Sequence, residues 1–89
     1  MNDTDEKLDN GLLKSLEANN TQFGLAAQAL GLIVRTEWGL PATEEQVTER
    51  LEYLADKGLA AEVRRVLHKA NRVWKITDAG RRYVDEQNL

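Results

Sequence analysis

Apolar residues recur along this chain with two periods, and the change from one to the other predicts its architecture. Leu8, Leu12, Leu13 and Leu16 stand at helical spacing. They predict a first helix over about 9–18, with a start as early as Asp5 open. Asn10-Gly11 weakens that start, because Gly costs ~1 kcal/mol inside a helix. Residues 1–8 read as an acidic, mobile tail, and residues 9–87 as a single domain. Asn19-Asn20-Thr21 supplies turn formers. Phe23, Ala27, Leu30 and Val34 then share a face, widened by Ala26, Ile33 and Trp38, and place a second helix within about 22–36. Gly39 and Pro41 break it, since the residue before Pro avoids helical angles.

The third helix has the clearest boundaries. Thr43-Glu44-Glu45-Gln46 fits a capping box, with Thr43 as N-cap and Gln46 at the third helical position. Glu44 and Glu45 sit where the helix dipole favours negative charge. Val47, Leu51 and Leu54 form the inward stripe. At Lys57-Gly58-Leu59, Gly58 can take the left-handed angle and Leu59 can pack back on Leu54, so the helix spans 44–57. The period then drops to two. Leu59, Ala61 and Val63 alternate with Ala60, Glu62 and Arg64, and Arg72–Thr77 alternates with Trp74 and Ile76 inward. His68–Asn71 is the polar turn between them. Thr77 caps a last helix from Asp78 to about Gln87, with Tyr83 and Val84 over the core.

The order is thus three helices, a hairpin and a helix. Leu51, Tyr53, Leu54 and Lys57-Gly58-Leu59, followed by Val73-Trp74-Lys75-Ile76-Thr77-Asp78-Ala79-Gly80, resemble the winged helix-turn-helix superfamily, as seen in ArsR-like regulators. The resemblance covers the last half of the chain by motif and the first half by element order. The Gly11-Leu12-Leu13-Lys14-Ser15-Leu16-Glu17 run and the overall length are also similar to small winged-helix proteins of Mu-like phages. The resemblance implies an α+β, mostly helical fold: a three-helix core, a C-terminal β-hairpin wing and a short last helix. It also implies DNA binding of the transcription-regulator type, with the third helix in the major groove and the wing on the backbone.

The residues of the third helix do not fit that use. With Val47, Leu51 and Leu54 inward, the opposite face is Glu45, Glu49, Glu52 and Asp56, at i, i+4, i+7 and i+11. Duplex DNA carries one negative charge per ~1.7 Å of axis, which repels such a row. The row also lacks the Arg or Lys that grips guanine. The four acids form either a solvated helix face or an acidic docking face.

Charge is divided along the chain. Residues 1–57 hold five Lys or Arg against eleven Asp or Glu, a net of −6, whereas residues 58–84 hold seven against two, a net of +5. Arg64, Arg65, Lys69, Arg72 and Lys75 are the candidate contacts for a nucleic acid or other anion. With the turn at His68–Asn71, Val63 faces Ile76, Arg65 faces Trp74 for guanidinium stacking, and Arg64 faces Lys75. The last is a like-charge pair that an anion or a carboxylate would relieve. A solvated, charged edge hairpin accounts for the same residues. Arg81 and Arg82 either extend the basic surface or pair with Asp78, Asp85 or Glu86.

The remaining composition narrows the class. There is no cysteine and one histidine, so neither a disulfide nor a standard zinc pattern arises, and no cofactor is expected. No catalytic triad or glycine-rich phosphate loop appears, and the expectation is a protein that is not an enzyme. An acidic start at Met1–Glu6, unlike a signal peptide, and the lack of a ~20-residue apolar run point to a cytoplasmic protein with no membrane partner. Two functions stand. One is a DNA-binding module that contacts phosphates of double-stranded DNA through the wing, with low sequence specificity. The other is a protein interaction or assembly module, of phage-related type, in which the basic wing meets an acidic protein partner or a second copy.

Overall fold

A computed structural model describes residues 3–19, 23–64 and 72–87. The elements run α1 (Asp3–Ala18), β1 (Leu25–Ala26), α2 (Ala27–Thr36), α3 (Glu44–Asp56), β2 (Ala60–Arg64), β3 (Val73–Ile76) and α4 (Asp78–Glu86). The result is a small α+β fold, mostly helical, with four helices and one three-stranded antiparallel sheet in the order β1-β3-β2.

The core is built where the helical stripes meet the sheet. Leu12, Leu13 and Leu16 of α1, Leu30 and Val34 of α2, and Val47, Leu51 and Leu54 of α3 are all buried. Trp74 and Ile76 of β3 and Val84 of α4 close the cluster. Each such side chain contributes ~1.5–3 kcal/mol of transfer free energy. Trp74 Nε1 finds no hydrogen-bond partner among the described residues. The indole therefore serves the core through its volume.

The capping box forms as its sequence predicts. Gln46 N–H donates to Thr43 Oγ1 at 3.1 Å, and Thr43 N–H donates to Gln46 Oε1 at 2.9 Å. At the other end Gly58 has φ +76°. Leu59 N–H donates to the Leu54 carbonyl at 2.9 Å and Gly58 N–H to Ala55 at 3.0 Å, which satisfies the last carbonyls of the helix. That turn also seats α4. Thr77 Oγ1 donates to the Gly58 carbonyl at 2.6 Å and accepts from Gly80 N–H at 3.0 Å. A Cβ at Gly80 would clash with the Leu59 carbonyl oxygen, so only glycine permits this approach.

Four expectations are corrected. First, α1 starts at Asp3, so residues 3–8 are helical and Leu8 is buried. The propensity cost of Gly11 is overridden by packing, since Gly11 lies against Val34, Trp38 and Leu40. Second, residues 25 and 26 form a strand, not the start of the second helix. They pair with β3 as Leu25↔Trp74 and Ala26↔Val73. Third, Phe23 and Trp38 are exposed, not part of the inward face. Fourth, the hairpin register differs by three residues. Ala60 faces Ile76, Ala61 faces Lys75 and Glu62 faces Trp74, with a bulge between Glu62 and Arg64. The Gly58 turn delivers the chain directly into β2, so Ala60 becomes the first inward residue and Val63 turns to solvent at 46% exposure. An odd shift of register exchanges the two faces of a strand. The expected Val63–Ile76 and Arg64–Lys75 pairs therefore do not form. The turn at His68–Asn71 lies outside the described residues.

Candidate functional site

The outward side of α3 is open to a partner. Because Val47, Leu51 and Leu54 are at most 2% exposed, the helix phase is fixed, and Glu45, Glu49, Glu52 and Asp56 are all exposed. Glu45, Glu49 and Asp56 make no hydrogen bond or ion pair with the described residues. Glu52 is the exception, because it reaches the hairpin.

Two arginines near this side are engaged within the molecule, Arg50 by acids of α1 and Arg72 by Glu62 and by Glu52 of the row itself. Arg50 turns toward α1. Its Nε and Nη2 donate to the two oxygens of Asp9 at 2.8 and 2.7 Å, and Asp5 lies 3.9 Å from Nη1. Asp9 is itself buried. The guanidinium also lies over the Tyr53 ring, 4.2 Å from its centre, an attraction of ~0.5–1 kcal/mol at a partly exposed site. The hydrogen bond to Asp9 raises the Arg50 pKa above the ordinary arginine value, against the opposing effect of burial.

Arg72, expected on the basic wing as an anion contact, is buried instead. Its Nε and Nη2 donate to Glu62 at 2.7 and 2.9 Å, and Nη1 donates to Glu52 at 3.0 Å. The guanidinium stacks over Trp74, 4.9 Å from the ring centre, in the place expected for Arg65. Bonding to Glu62, then to Glu52, raises the Arg72 pKa well above the ordinary value, although burial opposes the shift. The Arg72 carbonyl accepts from Ala27 N–H at 2.8 Å. One residue thereby ties together β2, α3 and the start of α2.

The other sequence-predicted cations are distributed differently. Lys75 is half-buried on β3, opposite Ala61. Arg64 ends β2 opposite Val73. Arg65, Lys69 and His68 lie outside the described residues. Arg81 and Arg82 are exposed on α4. The burial of Arg72 removes it from the five expected contacts.

Sequence reasoning missed Asp9 and Tyr53 as partners of Arg50, and Glu62 as the main partner of Arg72. The Asp9–Arg50 pair spans 41 positions, and no local signal announces it. Glu62 would have been found from the correct hairpin register, which puts it opposite Trp74 and beside Arg72.

A groove of about 430 Å³ lies where α1, α3 and α4 meet, lined in part by Leu13, Tyr53, Leu54, Lys57, Leu59 and Tyr83. Its size suits a small molecule. However, the Tyr53 ring is already engaged by Arg50 and, at 5.5 Å, by Lys57. Among the described residues no cluster of three or more His, Cys, Asp or Glu could hold a metal ion. No helix among them is long and apolar enough to cross a membrane.

Comparison with models of protein families, with curated proteins and with solved structures finds no match for this chain.

Proposed function

We propose that this chain is a non-enzymatic binding module of winged-helix architecture that works by protein–protein contact, with the outward side of α3 meeting a basic surface. The architectural part is supported by the element order and by the strand order β1-β3-β2. Three helices followed by a hairpin and a last helix is the order that the winged-helix resemblance implies, and the two-residue β1 adds a third strand beside that hairpin.

The functional part is carried by one observation: α3 exposes four carboxylates, of which Glu45, Glu49 and Asp56 have no side-chain partner among the described residues, while Arg50 is held by Asp9 and Arg72 by Glu62 and Glu52. A duplex entering against this side would meet like charge with no arginine to grip guanine. A basic protein surface would meet the opposite charge. A second copy of the chain would offer its remaining cations, among them Lys75 on β3 and the exposed Arg81 and Arg82 on α4, with Arg72 left out because it is buried. Contact between unlike surfaces of identical copies is head-to-tail and builds rings or filaments.

Sedimentation equilibrium of the full chain at low and high salt tests this. Apparent mass should rise with concentration at low salt and return to the monomer at high salt. The double substitution Glu45→Lys with Glu49→Lys should abolish the rise. A monomer at every concentration in low salt would remove self-association as the mode of contact.

A second reading has one observation of its own. The hairpin sequence carries Arg64, Arg65 and Lys69, and Lys75 lies on β3. Such a hairpin suits the phosphate backbone of double-stranded DNA, with Arg72 no longer among the contacts. Binding of this kind would be salt-sensitive and indifferent to sequence, and each phosphate contact removed would flatten the salt slope by ~0.9. Duplex affinity unchanged by neutralising those cations would exclude it.

A further inference from the structure

We infer that the outer face of the sheet binds single-stranded nucleic acid, with Phe23 stacking on a base and Lys75 meeting a neighbouring phosphate. This site stands apart from the α3 contact proposed above. It shares Lys75 with the duplex reading and differs from it in needing Phe23.

The sheet has one covered face. Ala60, Trp74 and Ile76 are buried in the core, to which all four helices contribute. Side chains alternate along a strand, so Val73 and Lys75 of β3 stand on the opposite face. The pairs Ala26↔Val73 and Ala61↔Lys75 set small residues beside them. None of these outer residues belongs to the core cluster.

Phe23 borders this face and is 75% exposed, the most of any large apolar side chain among the described residues. Gly24 fixes its place. Gly24 takes φ +73°, and a Cβ there would stand 2.6 Å from the Trp74 carbonyl oxygen and 3.1 Å from Lys75 Cγ. The Gly24 backbone therefore lies against β3 at Lys75, with Phe23 the next residue along. Lys75 is half-buried and makes no hydrogen bond or ion pair with the described residues. An exposed aromatic thus adjoins a cation that no acid claims.

Charge selects the occupant. The three strands hold one acid, Glu62, which lies opposite Trp74 and is bound by Arg72. The outer face is left without an acid in a chain of net charge −3. A two-fold dimer on this face would set Lys75 against its own copy, a like-charge contact. An anionic membrane draws on clusters of several Lys or Arg, whereas the strands hold only Lys75 and Arg64. A single strand needs what is present: an aromatic face for an unpaired base and a cation for the phosphate. A duplex keeps its bases stacked on one another and leaves Phe23 unused.

Fluorescence anisotropy of a labelled oligothymidylate, titrated with the full chain at low salt beside a duplex of equal length, tests the inference. The single strand should bind more tightly than the duplex. Phe23→Ala and Phe23→Leu should each weaken binding by roughly fivefold or more, the effect of one lost base stack, and Phe23→Trp should keep the wild-type affinity. Lys75→Gln should flatten the salt slope by ~0.7, as for one phosphate contact on a single strand. In backbone NMR the oligomer should shift the amides of Gly24, Ala61 and Lys75. Wild-type affinity in Phe23→Leu would overturn the inference, as would a duplex that binds at least as tightly as the single strand. No binding at low salt would overturn it too and leave the α3 contact untouched, because that contact makes no use of Phe23. Retention on phosphatidylserine vesicles with no response to the oligomer would overturn it in favour of a lipid surface.

Discussion

The inward and outward sides of α3 are stabilised and exposed by opposite chemistry. On the inward side, Val47, Leu51 and Leu54 are buried and held by contacts with α1, α2 and the sheet. On the outward side, four carboxylates face water and only Glu52 has a partner among the described residues. Arg50 is drawn off by Asp9 on α1, and Arg72, held mainly by Glu62 on β2, reaches the outward side only at Glu52. The difference teaches that the acidity of the outward side is a product of tertiary structure as well as sequence. The fold turns Arg50 away from the row and brings Arg72 to it at Glu52 alone.

The comparison can be broken most forcefully from the inward side. Leu51→Ala should destabilise the protein by ~2–5 kcal/mol, the range for a fully buried leucine truncated to leave a cavity, as measured by urea unfolding. A change below ~1 kcal/mol would mean that the phase of α3 is not fixed by this stripe.

The arginine networks come next. Arg72→Met and Arg50→Met should each cost ~1–3 kcal/mol, because each leaves a partly covered carboxylate without its charged donor. These costs should not change between about pH 6 and about pH 9. A cation whose folded pKa is raised stabilises the fold below its unfolded titration range, and the effect fades only as pH rises through the folded value. Both arginines are shifted upward from an already high starting point, so neither titrates in that window. Costs that differ between the two pH values by more than ~0.5 kcal/mol would count against these assignments.

The smallest effect belongs to the outward side. Glu45→Gln and Glu49→Gln should change stability by no more than ~0.5 kcal/mol, as for exposed substitutions away from structural features. A larger loss in thermal unfolding would show that these acids serve the fold and are not spare for a partner.

What could be read from the sequence was what is local. The α3 boundaries follow from Thr43, Gln46 and Gly58, which act within one turn of themselves, and the structure reproduces the start and ends the helix one residue earlier, at Asp56. Thr77 likewise caps α4. What could not be read depends on distant partners. The two-residue strand Leu25–Ala26 is too short to show alternation and exists only because β3 lies beside it. The early start of α1 depends on the helix being packed in the core. The hairpin register could not be set from the polar residues of its turn, and the identity of Glu62 as the Arg72 partner was lost with it. The acidic row was legible because its phase follows from three leucine and valine positions. The pairing of Arg50 and the burial of Arg72 were not, because they need Asp9 and Glu62 brought in from elsewhere in the chain.

The most direct test is a titration of the full chain with duplex DNA at low salt, followed by backbone NMR. Amides of α3 at Glu45, Glu49, Glu52 and Asp56 should stay unshifted at every ratio of duplex to protein, whatever happens in the hairpin. Saturable shifts centred on those four residues would mean that α3 enters the duplex and that its charge does not keep it out.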